Sequence, residues 1–472
     1  MGTQKIDEAR VRTLSDAPAR DGAYVLYWMQ QSQRARTNHA LEHAVRRANE
    51  AGLPLLVGFG LMDGYPGANL RHYRFMLEGL RQTAAQLARR SIGFVLRRGA
   101  PDEVCLRLAK DAALVVCDRG VLRHQRRWRR RVAEEAGREV VQVEADTVVP
   151  LDVASDKREY AARTLRPKIA RHRDAFLHGL RTTPLAHDGT ALGVDGETLT
   201  SEADVDALLD DLDVDRSVPP VSHVFEGGTS QANARLAHFV ERLLADYDDS
   251  RLEPSARRVS HLSPYLHFGQ IAAIDVALAV DGADAPRDAR EAYLEELIVR
   301  RELAMNYCAH EPRYDAFAAL PDWAKRTLAE HADDEREHVY TARELERAET
   351  HDPWWNAAMR EMRYTGYMHN AMRMYWGKRI LAWTNTPEHA FRTALELNDR
   401  YFLDGRDANS VANVAWLFGL HDRPWKEREV FGKVRIMTAS GLKRKYDMDA
   451  YVAWVDAQVG EAEAAGVRFE DD

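Results

Sequence analysis

The sequence predicts a doubly wound α/β unit followed by an all-helical unit. Two observations carry this. Over residues 23–150, short apolar runs rich in Val and Leu alternate with amphipathic helical patterns, as strand–helix repeats around a mostly parallel sheet require. From about 229 to 460 the strand-like runs stop and helical periodicity takes over. The implied organisation is an α/β domain over 1–150, a connector over 151–228 and a helical domain over 229–472.

In chain order, strands are expected at 23–29, 54–61, 92–98, 113–118 and 140–145. Each is a continuous apolar run, the pattern of a strand buried on both faces. Helices are expected near 37–51, 68–90, 101–111 and 123–136. No G-x-G-x-x-G follows the first strand, so the standard dinucleotide fingerprint is absent. Ligands of such sheets still sit at the carboxyl ends of the strands. The basic run RHQRRWRRR at 123–131 falls on the last of these helices and reads as a solvated face. In the connector, 156–180 is helical in pattern. TTPLAHDGTALGVDGETL and RSVPPVSHVFEGGTS are rich in loop formers. Further on, Pro264, Pro353, Pro387 and Pro424 mark helix starts or breaks.

Composition bounds the function. The net charge of −8 argues against a protein that coats nucleic acid, but not against a local basic face. The acidic stretch 201–215 can hold much of that charge away from a binding site. Three scattered cysteines, Cys105, Cys117 and Cys308, argue against a disulfide framework or a zinc site and fit a reducing cytoplasm. No apolar run is long enough to span a bilayer, and the N-terminal residues are polar. A cytoplasmic, metal-free monomer with no membrane partner is expected.

The chemistry concentrates between His351 and Trp425, where Trp, Tyr and Met recur among Asn, Asp and Arg. An ordinary helical core prefers Leu, Ile and Val. Trp376 and Trp383 are seven residues apart, hence on one helix face and about 10 Å apart along the axis. Such rings beside polar groups suit a flat, hydrogen-bonding redox cofactor with aromatic stepping stones; for any single ring, core packing is the simpler role. Ser260, His261, Leu262, Ser263 and Pro264 read as a Ser-capped helix start with Pro in the first turn. A helix start of that kind suits a diphosphate.

MHNAMRMYW at 368–376, LNDRYFLDGRDAN at 397–409 and HDRPWKEREVFGKVR at 421–435 closely resemble the C-terminal signature of class II cyclobutane pyrimidine dimer photolyases. LSPYLHFGQI at 262–271, EELIVRREL at 295–303, YVLYWMQQSQRA at 24–35, NLRHYRFMLEGL at 69–80, VVCDRGVLRHQRRWRR at 115–130 and ASDKREYAARTLRPKI at 154–169 are similar to further motifs of that class. The likeness covers nearly the whole chain. It implies a photolyase-type α/β domain, an all-α FAD-binding domain, and light-driven repair of dimers in DNA by electron transfer from excited reduced FAD. It implies that Ser260, His261, Leu262 and Ser263 hold the FAD phosphates and that Tyr247 contacts the cofactor. Asn370, Arg373, Asp404 and Asn398 would surround the isoalloxazine, with Arg373 and Asp404 as a buried ion pair and Asn398 facing N5. Trp376, Trp355 and Trp383 would form an electron relay, with Trp376 nearest the flavin, Trp355 next and Trp383 the surface exit.

For the substrate, the resemblance implies that Glu296 hydrogen-bonds a flipped-out dimer, as a carboxylate that is protonated or held by neighbours. Trp416 and Met374 would wall the pocket. Arg251 would lie on the damaged strand's phosphates, and Trp425 and Arg435 would enter the gap behind the lesion. Val299 and Arg300 stand where other classes carry Trp-Arg, so the second aromatic wall is missing or supplied elsewhere. An antenna, deazaflavin or folate, is expected near the strand ends of the α/β domain. Two other readings are a cryptochrome-type flavin photosensor, disfavoured by the short C-terminal extension, and a non-photoactive nucleotide-binding α/β protein, which needs neither the tryptophans nor Asn398.

Overall fold

Six strands form one sheet: β1 (Val11–Thr13), β2 (Tyr24–Trp28), β3 (Leu55–Leu61), β4 (Gly93–Arg98), β5 (Ala112–Asp118) and β6 (Val140–Val143). Their order is β1-β6-β5-β2-β3-β4. β2 to β6 run parallel, and β1 pairs antiparallel with β6. The computed structural model describes residues 6–469; residues 1–5 of the polar N-terminus and 470–472 lie outside it. The five expected strands are present. β1 was not foreseen, because three half-exposed residues, Val-Arg-Thr, carry no readable periodicity.

β2, β3, β5 and β6 are buried along their whole length. Helices His39–Ala51 and Leu70–Ala88 cover one face, packing on Val25, Tyr27 and Val57. Helices Pro101–Ala109 and Arg123–Glu135 cover the other, on Leu26, Trp28 and Val95. Strand order reverses beside β2, and a cavity opens at the carboxyl ends there, lined by Met29, Gln31, Phe59, Met62, Trp128 and Phe268.

The connector is built into this domain as much as it links it to the next. Leu199, Val205, Leu208, Leu209 and Leu212 complete the core beneath helix Leu70–Ala88. The acidic stretch is matched by arginines: Arg74 and Arg81 pair with Glu202, Arg98 with Asp211, and Arg400 of the helical domain with Asp215.

The basic run at 123–131 bears out the solvated-face expectation on its outer side, where Arg123, Arg126, Arg127 and Arg130 are exposed, but not on its inner side. Gln125, Trp128 and Arg129 are buried, and Arg129 bonds Gly120 and Gln142. Arg123 pairs with Asp315, and Arg126 donates to the Ala309 carbonyl at 3.0 Å. These arginines fasten the sheet domain to the helical domain, a use that charge density alone does not reveal.

In the helical domain, Pro264, Pro353 and Pro387 sit in first turns as expected, while Pro424 lies in an irregular stretch. Helix Pro353–Thr365 is capped by Asp352, which accepts the Trp354 and Trp355 amides at 3.0 and 3.1 Å. It packs on the C-terminal helix Met448–Ala464 and on helix Asn370–Trp383. Helix Asn370–Trp383 approaches helix Ala408–Leu417 so closely that a Cβ on Gly377 would lie 2.1 Å from Leu417 Cδ1. Among the described residues, no helix is long and apolar enough to cross a membrane.

Candidate functional site

The site is organised by the first turns of helix Asn370–Trp383. His369 caps it, its Nδ1 accepting the Ala371 amide at 3.2 Å. Burial lowers this imidazole to about 4, so it is neutral and its proton sits on Nε2. One turn in, Arg373 Nη2 lies 3.0 Å from both oxygens of Asp404, and Nε donates to the Met368 carbonyl at 3.0 Å. The guanidinium stands 3.8 Å over the Phe402 ring. The expected ion pair is therefore present, and it is tolerable out of water because its hydrogen bonds are met. Gly405 permits the turn that delivers Asp404: a Cβ there would lie 2.7 Å from the Asn398 carbonyl. Asn398 is buried. Its amide donates to Asp399 Oδ1 at 2.8 Å and to Ser410 Oγ, which leaves the side-chain oxygen as the acceptor for a ligand. Asn370 is exposed at the helix start.

The Ser260–Ser263 segment departs from expectation. Its helix, Ser263–His267, begins at Ser263, so the cap position falls on Leu262, which has no acceptor. Ser260 Oγ instead accepts the Tyr293 hydroxyl at 2.9 Å. His261 adopts a left-handed backbone, φ 51°, and its ring meets Tyr367 at 4.7 Å between centroids. Burial pushes this imidazole down to about 3. Tyr247 packs edge-on against Tyr293 and Phe239, centroids 5.2 and 5.6 Å away.

The three tryptophans lie together. Trp376 is buried with its ring 6.4 Å from Phe402. Trp355 Nε1 donates to the Trp376 carbonyl at 2.9 Å, and the Trp355 ring is 5.6 Å from Trp383. Trp383, expected as the surface exit, is only 4 % exposed. Tyr340 and His351 cover it, at 5.4 and 5.3 Å between centroids, and the Arg379 guanidinium lies 5.1 Å over its ring. Tyr340 stands 43 positions before Trp383 in an unremarkable VYTARE segment, so no sequence signal placed it there.

Glu296 sits on a π-helical turn, Glu295–Arg300, a widened turn common at functional positions. Arg251 Nη1 holds its carboxylate at 3.1 Å, so the residue is positioned by a neighbour. Arg251 is thus engaged with Glu296 through Nη1. Val299 is buried in the core and forms no wall. Met374 and Trp416 are partly buried against the other core. Trp416 lies between two cations, Lys378 and Arg435, each 5.3 Å from its ring. Lys378 was not foreseen; its ammonium is fully buried, and burial lowers it to about 7. Arg435 also stands 4.2 Å over Trp425. Trp425 is 38 % exposed, and Asp422 ties it to Arg435.

Residues 25–186 match the DNA photolyase family, and residues 293–459 match the FAD binding domain of DNA photolyase. A deoxyribodipyrimidine photo-lyase of Methanothermobacter thermautotrophicus is 47 % identical over 95 % of this chain and 98 % of its own. The chain belongs to the DNA photolyase family. A photolyase of Oryza sativa subsp. japonica is 39 % identical over 96 % of this chain and 92 % of its own. Among solved structures, a class III photolyase from Agrobacterium tumefaciens superposes with TM-score 0.72 at 19 % identity, over 97 % of this chain and 94 % of that one. That last likeness shows the photolyase fold.

The residues fit the FAD of this photolyase family. His261 Nδ1 and Trp376 Nε1 are buried polar atoms without a protein partner, and buried polar groups ordinarily have one. Together with the Asn398 oxygen and the Arg373–Asp404 pair, they offer donors and acceptors to a flat, polar ligand.

Proposed function

We propose that this protein is a deoxyribodipyrimidine photolyase of class II type, opening cyclobutane pyrimidine dimers in DNA as a monomer with bound FAD. The observation that carries the reading is the Arg373–Asp404 pair over Phe402, in one locus with Asn398 and Trp376. FAD supplies the light absorption and the electron chemistry. Arg373 and Asp404 fix its ring, Asn398 offers an acceptor to it, and the Ser260–Ser263 segment with Tyr247 holds the rest.

The other residues handle the substrate. A dimer stacked in duplex must be extruded before it reaches a buried site. Arg435, stacked on both Trp416 and Trp425, links the pocket wall to the residue that fills the vacated stack. Met374 shares that wall. Arg251 orients Glu296, which hydrogen-bonds the dimer. Trp376, Trp355 and Trp383 carry electrons inward to restore the reduced cofactor. The cavity at the strand ends is the seat of an antenna chromophore. The boundaries 1–150, 151–228 and 229–472 separate antenna, connector and catalytic functions. The test is to illuminate the reduced holoprotein with a dimer-containing oligonucleotide and follow recovery of thymine absorbance. No recovery, with FAD bound and dimer-containing DNA bound, would refute the repair reading in favour of a flavin photosensor.

A further inference from the structure

Trp383 does not meet solvent, so an electron entering the tryptophan row must first cross what covers it. Two rings do. Tyr340 lies edge-on to Trp383, and its amide donates to the Trp383 carbonyl at 3.1 Å, which fixes the pair. His351 is edge-on to the same indole and exposed on its outer side. The Tyr340 hydroxyl oxygen is 2.6 Å from His351 Nδ1. It also accepts the His351 backbone N–H at 3.0 Å. With that donor already on the oxygen, the phenolic hydrogen is directed at Nδ1. Burial and the neighbouring His338 lower the His351 imidazole, so it is neutral and able to accept.

We propose that Tyr340 is the terminal electron donor of the tryptophan row and that His351 takes its proton. This rests on reading Trp376, Trp355 and Trp383 as a relay. The electrostatics favour the extra step. The Arg379 guanidinium over Trp383 disfavours a second positive charge on that indole. Oxidised Tyr340 is neutral once its proton has moved, and the charge passes from the buried indole to His351, whose outer side is exposed to water, although Arg379 still acts on that imidazole. The balance is simple. One electron passes from Tyr340 to the oxidised Trp383, and the phenolic proton passes to His351 Nδ1. The products are intact Trp383, a neutral tyrosyl radical and an imidazolium. A small soluble thiolate then returns one electron to Tyr340, the imidazolium returns the proton, and two thiyl radicals join as a disulfide.

Flash photolysis of the holoprotein with oxidised FAD, read by transient absorption and electron paramagnetic resonance, tests this. The expected result is a tryptophan radical that decays into a tyrosyl radical, more slowly in deuterium oxide. Tyr340→Phe should remove the tyrosyl signal and shorten the charge-separated state several-fold. His351→Gln, which keeps a polar side chain but is not a base, should slow tyrosyl formation several-fold. Tyr375 is the competing phenol, since it donates to Asp352. A tyrosyl signal that survives Tyr340→Phe and disappears in Tyr375→Phe overturns the proposal. So does a tryptophan radical with no tyrosyl successor, or tyrosyl formation at the wild-type rate in His351→Gln. Absence of any tryptophan radical would instead refute the relay.

Discussion

At the scale of single residues, Trp376 is the sharpest test of the relay. It is buried against Phe402, which carries the Arg373 guanidinium, and its carbonyl receives the Trp355 indole. Trp376→Phe should slow light-driven reduction of oxidised FAD by more than an order of magnitude. Repair should stay near wild type once the cofactor has been reduced chemically. Photoreduction at the wild-type rate would show that electrons enter by another route. This residue, like Arg373, Asp404 and Asn398, was legible because it falls inside a long ordered motif. Tyr340 and Lys378 were not, for a physical reason. Their environment is made by chain segments distant in sequence, and neither a lone tyrosine nor a lone lysine signals what will fold over it. The Trp383 error has the same origin: helical spacing gives a face, while exposure depends on which other segment covers that face.

At the scale of elements, the strand and helix positions of the α/β domain were readable because its strands are buried on both faces and its helices amphipathic. What periodicity does not give is closeness of approach. Gly377 shows this: in a helix, glycine costs about 1 kcal/mol relative to alanine, so Gly377→Ala should stabilise on propensity alone. The added methyl would instead meet Leu417 at 2.1 Å, in a buried contact where overpacking costs about 1–3 kcal/mol. The expected outcome is net destabilisation with a lowered melting temperature. An unchanged or raised melting temperature would mean that Leu417 rotates away freely. The segment carrying Trp425 invites a second element-scale test. Because Trp425 is exposed and stacked on Arg435, Trp425→Ala should weaken binding of damaged duplex most, on the order of a few kcal/mol for lost stacking against the extrusion gap. Damaged single strands have no opposing stack, so their affinity should fall less. Equal losses in fluorescence-anisotropy titrations of the two would make Trp425 a general contact and not a gap filler.

At the scale of the whole molecule, the helices that carry the site are held by buried ionisable groups, and these set how stability responds to pH. Glu361, on the helix of Trp355, accepts the Tyr451 hydroxyl of the C-terminal helix, and burial raises its carboxyl to about 8. Glu302 accepts the Val148 and Val149 amides at the end of the α/β domain, across from the helical domain, and is likewise raised to about 8. Buried imidazoles shift the other way: His261 and His421 to about 3, His43, His124 and His369 to about 4. For a histidine with a depressed folded value, the unfolded chain binds more protons below about 6.5, so stability falls as pH drops through that window. For a glutamate raised to about 8, the folded chain binds more protons between the unfolded value and 8, so stability falls as pH rises there. Lys378, lowered to about 7, acts in the reverse sense above that value and offsets part of the alkaline loss. The clean measurement is therefore a difference. Denaturant unfolding of Glu361→Gln, which keeps an acceptor for Tyr451 but cannot ionise, should match wild type near pH 4.5. It should gain on wild type as pH rises toward 8, with a limiting slope of about 1.4 kcal/mol per pH unit. Parallel pH profiles for the two proteins would mean that Glu361 ionises in the folded state as it does in the unfolded chain. The contact between helix Pro353–Thr365 and the C-terminal helix would then owe nothing to a retained proton.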